Sequence, residues 1–147
     1  MLVARALASA SIGSMNSALL VAGSIFVGLA ALIHVYIFYL ESIAWSRPKT
    51  WKTFGLKSQA DADTVRPMAY NQGYYNSFLA GGIIVGLILL VTPGLQQAGF
   101  ALALFAALSM VLAATVLITS NRSLARSAAI QGVLPLIGVA LLLLALV

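Results

Sequence analysis

The sequence predicts an all-α protein: a four-transmembrane-helix bundle with the N and C termini on the outer side of the membrane. Three observations lead there. Hydrophobic residues make up 62% of the chain and charged residues only 7%, against roughly a quarter charged in an ordinary soluble domain, which leaves too little polar surface to coat a water-soluble globule. Mean hydropathy is +1.05, and the few charges are gathered between long charge-free runs that suit membrane-spanning helices. Seven of the eight Lys and Arg fall in two connections that this topology puts on one side, and the excess of basic residues makes that side cytoplasmic.

Taken in order, residues 1–16 read as a leader outside the membrane domain. Arg5 is its one charge, and the apolar run before the small residues Ser9 to Ser11 is too short for a signal-peptide core; Met15 offers an alternative start. Residues 17–147 form a single domain. The first span, about 17–45, follows from the absence of Asp, Glu, Lys and Arg between Asn16 and Leu40, about 24 residues where about 20 suffice at 1.5 Å each. Glu41, Trp45 and Ser46-Arg47-Pro48 mark its end, since proline stops a helix and tryptophan suits the interface. The connection from 46 to 66 holds Arg47, Lys49, Lys52, Lys57 and Arg66 with both Asp residues and Trp51, and reads as a solvated loop lying on the headgroups.

After Pro67 no charge appears until Arg122, a run of about 54 residues, too long for one helix and right for two. Thr92-Pro93-Gly94 marks the turn between them, giving spans of about 69–91 and 98–120. Asn121 to Ser127, with Arg122 and Arg126, is a short basic loop, and the last span runs from about 128 to 147. Gly73, Ser77 and Gly81 recur every fourth residue, and Gly82 with Gly86 and Ser24 with Gly28 repeat the spacing. Small residues so placed let helices approach closely in lipid, within the molecule or across a homodimer seam.

Composition also excludes function classes. With no cysteine, disulfides, thiol catalysis and thiolate metal sites are ruled out. A single histidine argues against an all-protein zinc or haem site, so no metal and no cofactor is expected. The basic residues sit in loops and helix flanks rather than in a stripe interleaved with aromatics, which argues against nucleic acid as a partner; the expected partner is membrane lipid.

The polar residues within the spans are ordered by depth. Measured from the cytoplasmic helix ends, Glu41 lies roughly 6 Å in, Asn71 and Gln72 near the boundary, Asn76 and Thr115 roughly 5–10 Å in, and His34 roughly 15 Å in. Gln131 falls about one turn in. His34, Phe38, Glu41 and Trp45 share one helix face by their spacing, and that face should point inward because ionisable groups in hydrocarbon are costly. On the second span Gln72 with Asn76, and Asn71 with Tyr75, are i, i+4 neighbours. The candidate ligand-binding set is therefore His34, Glu41, Trp45, Asn71, Gln72, Tyr75, Asn76 and Gln131, with His34 and Glu41 as candidate acid–base groups. Interhelical hydrogen bonding that locks the bundle is the competing reading of the same residues.

The stretch from His34 to Glu41 (His-Val-Tyr-Ile-Phe-Tyr-Leu-Glu) with Trp45, Phe54-Gly55-Leu56, the stretch Asn71-Gln72-Gly73-Tyr74-Tyr75-Asn76, and Gln131-Gly132 ahead of Pro135 together resemble a family of small four-helix bacterial integral membrane proteins of unknown function. The resemblance runs from about Leu19 to the end and implies the fold and an inner-membrane location. Some members carry an epimerase label, which no motif in this chain supports.

Three functional readings follow. One is a cytoplasm-facing polar pocket inside the membrane that binds a small amphipathic or lipid-like molecule, with His34 as acid or base, Glu41 as counter-group and the amides orienting a polar head. The second is a proton-coupled small-molecule exporter, against which the apolar outer half weighs. The third is a structural or accessory subunit of a larger membrane complex, which the small-residue grooves would serve. Whether the protein is an enzyme is left open.

Overall fold

The computed structural model describes residues 15–147, so all of the expected leader except Met15 and Asn16 lies outside the described residues. Every regular element among them is helical. Helix α1 spans Ser17–Phe38 and continues as a π-helical turn over Tyr39–Ile43. A short helix α2 covers Pro48–Thr53, α3 Gln59–Leu90 and α4 Gln96–Ser120; a 3₁₀ turn at Arg122–Leu124 leads into α5, Ala125–Leu144. The four long helices are each apolar and long enough to cross a membrane, and the chain is a four-helix bundle of the multi-pass membrane kind.

The helices run up and down in a ring. Helix α1 packs on α3 and α5, and α4 packs on the other sides of the same two, with α1 and α4 barely touching across the diagonal. Their interior is built from Val27, Ala30, Ala31, Ala80, Ile83, Ala106, Ala107, Met110, Val139 and Leu142, while Val21, Leu32, Leu112 and Val116 face outward onto what would be acyl chains. Asn16 caps α1, its side chain accepting from the Leu19 N–H at 3.2 Å. Its own N–H donates to the Ala145 carbonyl at 3.0 Å, so the start of the first span and the end of the last lie side by side. The opposite end of the bundle carries both basic connections, brought together where Gly55 lies beside Leu124.

Two features differ from a reading based on charge-free runs. The helix that carries the second span begins at Gln59, well ahead of the charge-free run, with Ser58 as its cap accepting from the Asp61 N–H at 3.1 Å. At 32 residues it is about 48 Å long, well beyond the ~30 Å that a hydrocarbon core needs, and its polar first turns are the surplus. Pro67 sits within the helix without ending it, because the carbonyl it leaves unpaired, that of Asp63, lies on an exposed stretch where water can hydrogen-bond it.

The second difference is the connection itself. Instead of a loop spread over headgroups, it folds into a small core of Trp45, Trp51, Ala62 and Ala69, flanked by Phe54, Leu56 and Val65. Trp45 Nε1 donates to the Ala62 carbonyl at 2.9 Å and Trp51 Nε1 to Gln59 Oε1 at 3.3 Å. Burying both indoles is feasible because each N–H has an acceptor.

The glycines close the end of the bundle away from the basic connections. A Cβ on Gly99 would fall onto the backbone of Leu90 and Gly86, one on Gly86 onto that of Ala103, and one on Gly23 onto Leu142. Gly81, by contrast, meets nothing within 4 Å, so its place in the every-fourth-residue pattern is not used for packing. Replacing Gly99 by Ala is therefore expected to destabilise the bundle by about 1–3 kcal/mol through overpacking, whereas Gly81→Ala should be neutral or stabilise it by up to about 1 kcal/mol through helix propensity. Thermal unfolding of the two variants in one detergent checks the contrast; equal losses would contradict the packing described.

Candidate functional site

The polar centre of the bundle is made where α1 widens. In a π turn one extra residue enters the turn, a geometry often found at functional sites, and here the Ala44 N–H reaches back to the Tyr39 carbonyl at 2.8 Å. Glu41 sits inside this turn and is buried. Across from it, α3 presents Gly73. A Cβ there would collide with the Ser42 hydroxyl and come within 3.1 Å of the Glu41 Cβ, so the absent side chain is what lets the widened turn seat on α3. Ser42 Oγ then donates to the Tyr70 carbonyl at 2.9 Å.

One turn further along α3, buried Asn76 faces the carboxyl group. Its Nδ2 donates to Glu41 Oε2 at 2.9 Å and also approaches the Gln72 carbonyl at 3.1 Å. An amide and a carboxyl group from two spans are thus joined inside the bundle, where a lost partner leaves a buried polar group unsatisfied. Neither Arg47 nor Arg126 forms an ion pair with Glu41 among the described residues: Arg47 Nη1 instead donates to the Tyr39 hydroxyl at 3.1 Å.

His34 lies two turns deeper along α1 and is 1% exposed. Its Nδ1 is 2.9 Å from the Ala30 carbonyl. Because a carbonyl only accepts, Nδ1 carries the proton in that bond, and the neutral imidazole offers Nε2 as an acceptor. Among the described residues, no protein hydrogen bond is made by His34 Nε2, Glu41 Oε1 or Asn76 Oδ1, and no unpartnered side-chain nitrogen or oxygen is sealed away from water-sized space. These three atoms are therefore the acceptors of the polar centre that no described protein group has claimed.

Of the residues singled out from sequence, four are buried: His34, Glu41, Trp45 and Asn76. Trp45 lies one turn beyond Glu41, in the small core at the basic end, with its N–H committed to Ala62. Asn71, Gln72 and Tyr75 are exposed and Gln131 is half-buried; among the described residues none of their side chains hydrogen-bonds to His34 or Glu41. Tyr75 instead sets its ring edge-on to Phe78 at 6.3 Å, beside a Phe38, Tyr70 and Tyr74 cluster on the same outer surface. Thr115 is exposed and returns its hydroxyl to the Val111 carbonyl at 2.9 Å. Of the residues that shape the site, Gly73 was legible only as one of a series of small residues, and Ser42 carried no signal in the sequence.

The two ends of the bundle differ in closure. All buried residues of α4 lie between Gly99 and Ala114, and from Thr115 to Ser120 none is buried. Toward the basic end α4 thus buries no residue beyond Ala114, while glycine contacts close the other end. Pro135, buried in α5, leaves the Gln131 carbonyl without its helical donor, adding an acceptor near that same end.

Comparison with known proteins agrees with the resemblance drawn from the His34–Glu41 and Asn71–Asn76 motifs. No curated protein and no solved structure matches the chain. Residues 28–143 match the model of a family described as a protein of unknown function, DUF1304. Since that match takes in most of the chain and parts of all four spans, the protein belongs to this family.

Proposed function

We propose that the protein binds the polar head of a small or lipid-like molecule inside the membrane, at a site centred on Glu41 and Asn76 with His34 at its floor. The observation that carries this reading is the buried Glu41–Asn76 pair, which joins two spans and still leaves Glu41 Oε1 and Asn76 Oδ1 without a protein partner among the described residues. His34 Nε2 adds a third acceptor about 10 Å deeper, at the rise of seven helical residues, a separation that suits a bound head between them. Acceptors of this kind select hydrogen-bond donors: hydroxyl, amine or amide groups. An imidazole able to take up a proton and a carboxyl group able to exchange one also supply what proton transfer on such a head would need.

The ligand enters from the basic end, where α4 buries no residue beyond Ala114, and the closed glycine contacts at the far end support a one-sided site over an exporter's alternating access. We assign the basic end to the cytoplasmic face of a bacterial inner membrane, by the excess of Lys and Arg there, with both termini outside.

Two experiments test this. Native mass spectrometry of the protein incubated with a total bacterial lipid extract is expected to show a retained species, and Glu41→Ala or Asn76→Ala should weaken retention about ten-fold, the value of a buried hydrogen bond to a charged or strongly polar partner. Retention unchanged in both variants would contradict the assignment. Because the chain has no cysteine, single substitutions report sidedness directly: Gly94→Cys should react with an impermeant maleimide added to spheroplasts, and Lys57→Cys only after lysis, while the reverse pattern would invert the topology.

A further inference from the structure

A cleft lies apart from this site, where α4 ends and α5 begins. It measures about 600 Å³, is open on one side, and is lined by Ile118, Thr119, Arg122 and Ala125. We propose that it holds the phosphate of an anionic phospholipid, with Arg122 as the anchor.

Its walls match the two parts of such a molecule. Ile118 and Ala125 are apolar, and Ile118 continues the outward face of α4 that meets acyl chains. Arg122 contributes a guanidinium, whose fork of donors fits two phosphate oxygens at once. Thr119 turns its hydroxyl back to the Thr115 carbonyl at 2.8 Å, so the charge in the cleft is that of Arg122. Residues 96–147 contain Arg122 and Arg126 but neither Asp nor Glu, and no acid on α4 or α5 competes with an external anion. The 25 residues of α4 extend about 38 Å against a core of ~30 Å, which sets the last turn and Arg122 at headgroup depth. The turn is held in place by Asn121, whose Oδ1 accepts from the Ser123 N–H at 3.0 Å and from its hydroxyl at 2.7 Å. A free phosphate ion would share the guanidinium but leave the apolar wall unused, and the wall's continuity with the acyl-facing surface of α4 selects the lipid.

The full chain in phosphatidylcholine nanodiscs, titrated with phosphatidylglycerol and read by native mass spectrometry, tests this. Phosphatidylglycerol should be retained in preference to phosphatidylcholine. Arg122→Gln should lower its retention about five-fold, the worth of one basic residue at a membrane surface, and Thr119→Trp, which fills the cleft without changing charge, should do so as well. Arg66→Gln removes the same charge at the same end outside the cleft and should leave retention unchanged, and excess inorganic phosphate should not displace the lipid. Equal losses in Arg122→Gln and Arg66→Gln, full retention in Thr119→Trp, or displacement by inorganic phosphate would overturn the proposal.

Discussion

Hydrocarbon offers no hydrogen-bond partner, so a carboxyl group placed within a span must find one on a neighbouring helix. In this bundle the group is Glu41, the partner is Asn76, and much of the local architecture serves their meeting. The π turn widens α1 at the carboxyl group, and Gly73 opens α3 to receive that turn. Ser42 and Trp45 flank the pair, their side chains donating to the carbonyls of Tyr70 and Ala62 on the same helix. Three hydrogen bonds within one short stretch thus fasten the end of α1 to α3 and hold the polar centre between them.

The two ends of the molecule solve different problems. Away from the basic connections the helices need only cohere in lipid, and glycine against backbone contact with small alanines between provides this without any polar group. Toward the basic end polar side chains enter, and a small tryptophan core outside the span anchors the connection.

Much of the fold was readable because lipid penalises charge so steeply that gaps between charged residues mark the spans. The same rule is silent on where α3 starts, since charge bars Asp61, Asp63 and Arg66 from hydrocarbon but not from a helix, and a helix can outrun the bilayer. The π turn at Tyr39–Ile43 has no composition of its own and follows from how α1 must seat on Gly73. Depth counting placed Glu41, His34 and Asn76 together in the inner half, yet it could not separate Asn76 from Gln72 or Asn71, because residue type and depth carry no azimuth. Only the contact at Gly73 decides which face of α3 meets the carboxyl group. Gly81 makes the same point, sharing Gly73's spacing pattern while facing open space.

The central claim is that Glu41 and Asn76 act as one interhelical unit, and a double-mutant cycle measures this most directly. Unfolding of Glu41→Ala, Asn76→Ala and the double variant in bicelles by steric trapping should show a coupling of about 1 kcal/mol, within the range of interhelical polar contacts in membranes. Losses that simply add, to within about 0.3 kcal/mol, would mean that the two side chains do not depend on one another and would contradict the account.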